Sequence, residues 1–189
     1  QIQAAQDRGS ENSMSFSIHK FITGAVFAVA ALGAQAQEST NNVGNNTDWY
    51  VFEETAPSKQ CWAVSKPKET VNTDSAGRIK SVTRSEILLF VSYALANGVK
   101  GQVSFMGGYP FASGSEVNLT IGGSEFSLFV DDETAWAATA EDDARIVAAM
   151  KRGASAVLTG RSARGTVTKD TFSLLGFTAS VEEANKRCS

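Results

Sequence analysis

Histidine occurs once in the 189 residues, at position 19. That position falls in a stretch that reads as a removable leader, so the domain that follows has none. Without histidine a chain builds no Ser-His-Asp or Cys-His nucleophilic centre and no histidine-ligated zinc or iron site. Cysteine is nearly as scarce, with only Cys61 and Cys188. A surplus of positive charge is also missing. Lys and Arg total 17 against 20 Asp and Glu, a net charge of −3, so nucleic acid is not the default partner. Nor is there a phosphate loop, because the glycine-rich "MGGYPF" lacks the Lys and Ser/Thr that cradle phosphates. No apolar run reaches the ~20 residues a membrane span needs.

The longest apolar run, Phe21 to Leu32, has another use. It follows His19 and Lys20 and precedes Ala34-Gln35-Ala36, the small-x-small pattern of a signal-peptidase site. Residues 14–36, starting at Met14, therefore read as a cleavable secretory signal, and residues 1–13 as an upstream extension with no structural role. Gln37, not Cys, follows the cleavage site, which argues against a lipoprotein anchor. The removed part carries two basic and two acidic residues, so the remainder keeps a net charge of −3. Residues 37–47, "QESTNNVGNNT", are polar and Asn-rich and read as a flexible leader. Residues 48–189 then have the length of one domain.

In an exported chain two cysteines most simply pair with each other. A Cys61–Cys188 bridge would close a loop spanning most of the domain, a staple worth roughly 5 kcal/mol in the chain-entropy model. It would also tie down a tail that otherwise frays. The alternatives are free or intermolecular thiols, or a catalytic thiol, which would need a basic partner that histidine does not supply.

Most of the domain reads as short strands parted by turn residues. These are "DWYVF" (48–52), "CWAVS" (61–65), "EILLFVSYAL" (86–95), "GQVSF" (101–105), "EVNLTI" (116–121), "EFSLFV" (125–130), "SAVLTG" (155–160), "GTVTK" (165–169) and "TFSLLGF" (171–177). Gly122, Gly123 and Ser124 mark a hairpin. One helix is expected near residues 140–152. Thr139 is its cap, Ile146, Val147 and Met150 share a face, Lys151 and Arg152 suit its C-terminal dipole, and Gly153 stops it. A short second helix over "VEEANKRC" is expected. The fold class is mainly β, a sandwich or barrel-like single domain with one surface helix.

Several constellations have both a chemical and a plain reading. Asp131, Asp132 and Glu133 are a calcium or carboxylate-pair candidate, but lack the alternating spacing of a calcium loop and match a solvated turn. Glu141, Asp142 and Asp143 suit a helix N-terminus for dipole reasons alone. Gly107-Gly108-Tyr109-Pro110-Phe111 lines a binding loop or bends the chain between strands. Trp49, Trp62 and Trp136 are sugar-stacking platforms or core anchors, and Trp62 next to Cys61 is expected to pack near the bridge. Arg161, Arg164 and Lys169 form a small basic patch, the best local candidate for contact with an anionic partner.

"DWYVF", "KQCWAVSKPKETVNT", "GGYPFASGSEVNLTIGGSEFSLF" and "ARIVAAMKRGASAVLTGRSARGTVTKDTFSLLGFTASVEEANKRC" together resemble the invasion-associated locus B family of exported bacterial proteins. The resemblance covers most of residues 48–188 and rests on the order and spacing of these stretches. It implies a periplasmic or envelope-associated β domain, and the family's name reflects a link to host-cell invasion in some pathogens. It brings no catalytic motif. The expectation is a secreted or periplasmic, non-catalytic protein with no metal and no cofactor. It would act through contact with an envelope protein or an anionic envelope component. The competing expectation is a carboxylate-based glycan hydrolase, or a protein that binds a sugar or another small ligand.

Overall fold

Eleven strands, most with apolar residues at alternate, inward positions, form in residues 41–189, the part described by the computed structural model. The expected extension at 1–13, the expected signal at 14–36 and the start of the expected leader lie outside the described residues. The strands are β1 (Asn42–Asn46), β2 (Trp49–Glu54), β3 (Gln60–Ser65), β4 (Glu69–Thr73), β5 (Leu88–Ala94), β6 (Val99–Met106), β7 (Glu116–Ile121), β8 (Ser124–Asp131), β9 (Thr134–Trp136), β10 (Ser155–Arg161) and β11 (Val167–Ser173). The helices are α1 (Ala140–Arg152) and α2 (Phe177–Arg187). All strands join one sheet in the order β1-β2-β3-β5-β6-β9-β8-β7-β10-β11-β4, each pair antiparallel.

The protein is thus mainly β, as expected, with a helix at the expected place. The sheet bends so that its own inner face closes the core. Phe105 of β6 meets Phe172 of β11 edge to face, ring centroids 6.1 Å apart. Contact between distant strands of one sheet here does the work of two stacked sheets. Val91, Val103, Leu119, Leu128, Leu158 and Phe172 are fully buried on that face. At about 25 cal/mol per Å2 of apolar surface, burial of such side chains is the main favourable term. Gly122 and Gly123 join β7 to β8 with φ of 53° and 86°, the two left-handed residues of a tight hairpin.

Some elements differ from the sequence reading. The expected segments 165–169 and 171–177 are one strand, β11, because Asp170 between them is buried and paired rather than turned to solvent. Residues 42–46, expected in the flexible leader, form β1. Their polar composition is overridden by backbone pairing with β2 and by contacts to α2. Asn46 Nδ2 donates to Ser180 Oγ at 3.1 Å, and Arg187 Nη2 donates to the Val43 carbonyl at 3.3 Å.

In α1 the Thr139 hydroxyl accepts from the Asp142 N–H at 3.1 Å, which satisfies one orphan donor of the first turn. Arg145 pairs with Asp142 at 3.0 Å. Ile146 and Met150 are buried, and Val147 is half-buried. Gly153 stops the helix in an extended conformation, φ −84°. Its lack of a side chain matters for space, since a Cβ would lie 2.6 Å from Ile121 Cγ2. Asp143 is the buried member of the acidic turn and accepts the Val103 N–H of β6 at 2.7 Å.

Helix α2 covers β2 and β3. Phe177, Val181 and Ala184 face the core, and Phe177 meets Trp49 edge on at 4.8 Å. Trp49 is fully buried, and its Nε1 donates to the Ser173 carbonyl at 2.9 Å. Gly176 starts the helix at φ 88°, where a Cβ would collide with the Asn46 carbonyl. The helix ends at the Cys61–Cys188 disulfide, with Cα atoms 5.8 Å apart and a separation of 127 residues. Trp62, expected near the bridge, is on the opposite side of the sheet. Adjacent strand residues point to opposite faces, so the buried Cys61 and the stacked pair of Trp62 and Phe52 lie back to back.

Replacing both cysteines by Ser is expected to lower stability by roughly 4–5 kcal/mol, the loop-closure figure for so long a loop. Urea unfolding with and without reductant measures it. An unchanged midpoint would show that α2 is held by packing alone.

Asp143 gives a pH signature. Burial pushes its carboxyl above the ordinary carboxylate range, the Val103 N–H opposes that, and the Asp142 charge adds to it. The folded state therefore holds this proton more tightly than the unfolded state. Its contribution is complete below the ordinary carboxylate pKa and is lost as pH rises through the raised one. Asp143→Asn should gain stability over wild type at pH 7 relative to pH 4. Melting curves at the two values decide it, and a pH-independent difference would refute the assignment.

Candidate binding cleft

The loop at 74–87, between β4 and β5, is held over the sheet by one arginine. Inward-facing positions on β11 place Thr168, Asp170 and Phe172 on the core side, and Asp170 is fully buried. Arg84 reaches it from the loop. Nη1 donates to Oδ1 at 2.8 Å and Nη2 to Oδ2 at 2.6 Å, a bidentate pair with side chains 5% and 0% exposed. Nε and Nη2 donate to the Gly107 carbonyl at 2.9 and 2.6 Å, and Nη1 to Asn72 Oδ1 at 3.3 Å. The Tyr109 ring lies 4.9 Å from the guanidinium carbon, and its hydroxyl bonds Thr168 Oγ1 at 2.6 Å. Burial pushes the Tyr109 hydroxyl above its ordinary pKa. Five hydrogen bonds occupy the guanidinium, so Arg84 is a structural residue with no donor left for a ligand.

Further bonds shape the loop. Asp74 Oδ1 accepts from the backbone of Ala76 and Arg78 at 2.9 and 3.0 Å, which closes a turn. The Lys80 N–H donates to the Asn72 carbonyl at 2.8 Å, and the Ser85 N–H to the Gly108 carbonyl at 3.1 Å. Gly108 has φ 73°, and a Cβ there would lie 2.9 Å from the Ser85 carbonyl. The glycine-aromatic stretch is thus both a bend between strands and a wall of the cleft.

Between this loop, the 108–110 bend, the β8–β9 turn and the β10–β11 turn lies a cleft of about 590 Å3. Lys80, Arg164 and Glu133 are charged groups on its lining, with Ser81, Ser162 and Thr166 supplying hydroxyls. Lys80 Nζ donates to Thr166 Oγ1 at 3.4 Å. Among the described residues no carboxylate is paired with Lys80 or Arg164. These are the cations available to a ligand.

The structure divides the basic patch expected from sequence. Arg164 is in the turn at the cleft. Arg161 and Lys169 are exposed on the opposite, outer face, because Arg161 pairs with Val167 and alternation puts Val167 and Lys169 on that side. Sequence spacing put the three together, whereas Lys80 and Arg84 are far away in the chain and were missed. Asp131, Asp132 and Glu133 make the β8–β9 turn, where Asp132 and Glu133 carbonyls accept the Phe111 and Gly107 N–H groups at 2.8 and 3.0 Å. Among the described residues no three His, Cys, Asp or Glu side chains gather as a metal cage.

The pattern of the "Invasion associated locus B (IalB) protein" family matches residues 49–185. The chain belongs to that family. No curated protein and no solved structure matches the chain. In this IalB protein the matched region takes in all the strands except β1, both helices apart from the last turn of α2, and the whole cleft. Among the described residues no helix is long and apolar enough to cross a membrane.

Arg84→Met should be strongly destabilising, by about 3–5 kcal/mol, because it leaves Asp170 buried without its partner. Arg84→Met with Asp170→Leu should recover much of the loss. Chemical denaturation of the three proteins tests this, and equal stability of Arg84→Met and wild type would contradict the assigned role.

Proposed function

We propose that this IalB protein is exported and acts by binding, not by turnover, with Lys80 and Arg164 capturing an anionic component of the bacterial envelope. The observation that carries the reading is the pair of cations, neither in an ion pair with a carboxylate among the described residues, on a cleft whose other arginine is committed to the scaffold. Family membership and the Cys61–Cys188 disulfide support export to an oxidising compartment. The signal-like stretch at 14–36 points the same way.

Hydrolysis of a glycan by two carboxylates needs a pair ~5–9.5 Å apart across the substrate. Glu133 is the one acidic side chain on the cleft lining, and Asp170 is buried against Arg84. That composition favours binding. The hydroxyls of Ser162 and Thr166 beside Arg164 fit an oxyanion, either phosphate or carboxylate.

Lipopolysaccharide and phosphatidylglycerol vesicles are suitable probes. Lys80→Glu with Arg164→Glu should weaken binding by tenfold or more, since a cation near an anionic surface contributes about 1 kcal/mol. Arg161→Glu with Lys169→Glu, on the opposite face, should have a smaller effect. Both variants should melt like wild type, because exposed charges contribute little to stability. Added salt should weaken binding. Equal loss in both double variants, or hydrolysis of peptidoglycan abolished by changing Glu133, would overturn the reading.

A further inference from the structure

The cleft and both helices are on the inner side of the sheet, whereas the outer side carries a row of aromatic rings. One register line crosses β2, β3, β5, β6, β9 and β8 through Tyr50, Val64, Phe90, Ser104, Trp136 and Phe129. A parallel line starts with Phe52 and Trp62, whose rings stack at 5.7 Å and 9°, and runs on to Ser92 and Gln102. Tyr50 and Phe129 are 42% and 47% exposed, and Phe90 and Trp136 are half-buried. Neither line contains a charged residue. Charges flank them at Glu54, at Glu116, which pairs with Phe129, and at Asp131, two residues beyond Phe129 on the same face of β8.

Folding alone does not call for this arrangement. An outer sheet face in water is ordinarily polar, and isolated exposed apolar residues need no explanation, but a row in register does. Tyr50, Phe90 and Trp136 stand on every second strand. Strands are ~4.8 Å apart, so these rings repeat at ~9.6 Å. An extended β-1,4-linked glycan repeats over a disaccharide of about the same length, and every second pyranose turns the same C–H face to one side. Flat aromatic faces pack on such C–H faces, while the Ser92 hydroxyl and the Gln102 amide, in the adjoining line, match sugar hydroxyls. The lack of charge selects an uncharged polymer over the anionic surface favoured at the cleft. A protein interface would concentrate its aromatic anchors at a centre ringed by polar contacts, whereas these rings form a strip, two rings wide at β2 and β3 and one ring wide from β5 to β8.

We propose that the outer face binds an extended, uncharged β-1,4-linked glycan laid across the strands from β2 to β8. This is a second surface, independent of the Lys80–Arg164 cleft.

The test titrates the full-length, oxidised protein with chitohexaose, chitobiose and maltohexaose, followed by tryptophan fluorescence and calorimetry. Chitohexaose should bind about tenfold or more tightly than chitobiose, and maltohexaose, whose α-linkages curve the chain, should bind weakly. Trp136→Ala should weaken chitohexaose binding about tenfold. Phe129→Ser, at a more exposed position, should also weaken it without loss of folding, as melting curves verify. Lys80→Glu with Arg164→Glu should leave this binding unchanged, so failure of the cleft reading would not remove it. Four results overturn the proposal: no chitohexaose binding, no preference for length or linkage, binding indifferent to both aromatic changes, or aromatic variants that alter only vesicle binding or self-association.

Discussion

Burying the Arg84 guanidinium against Asp170 constrains the chain far beyond those two residues. Two charges taken out of water are tolerated only when each remaining donor and acceptor finds a partner. Here that demand recruits Asn72 of β4 and, from the bend after β6, the Gly107 carbonyl and the Tyr109 ring, so two separate segments are tied to the loop. Satisfying them fixes the 74–87 loop over the sheet end and sets the distance between the loop and the 108–110 bend. The cleft is the space left between these parts. Replacing the pair by apolar side chains would leave a core of similar quality, so its value lies in specifying where the loop sits.

The sheet's bend and the disulfide act on a different part of the molecule. Inner-face residues of β6 and β11 meet, and α2 closes the side where β2 and β3 would otherwise expose Trp49 and Val51. Cys188 fastens the end of that helix to β3. The arrangement leaves two surfaces with unlike chemistry. The cleft side offers cations and hydroxyls, and the outer face offers uncharged rings and amides.

Much of the fold was legible because side-chain periodicity is local. Alternation in "EVNLTI" and "EFSLFV" with Gly-Gly between them announces β7, β8 and their hairpin, and Thr139 through Gly153 reads as a capped amphipathic helix. The short or polar strands were not legible. β1 is an Asn-rich segment whose strand character comes from backbone pairing with β2 and from α2. β4 and β9 are brief and lack a distinctive pattern. Asp170 reads as a break between two strands, since an acidic residue in a strand is unusual until the arginine that neutralises it is known.

Composition and order alone determined the absence of histidine from residues 48–189, the pairing available to two cysteines, the β-rich class and the family likeness, because these depend on residue types and near neighbours. Only tertiary structure decided which charges converge. Arg161, Arg164 and Lys169 are close in sequence, yet a strand's two-residue period sends Lys169 and Thr168 to opposite faces and separates Arg161 from Arg164. Lys80 and Arg164 are far apart in sequence and share a cleft because Arg84 holds their segments together. The aromatic row had the same origin. Tyr50, Phe90, Trp136 and Phe129 are scattered along the chain, and they align only once strand order and register are set by long-range pairing.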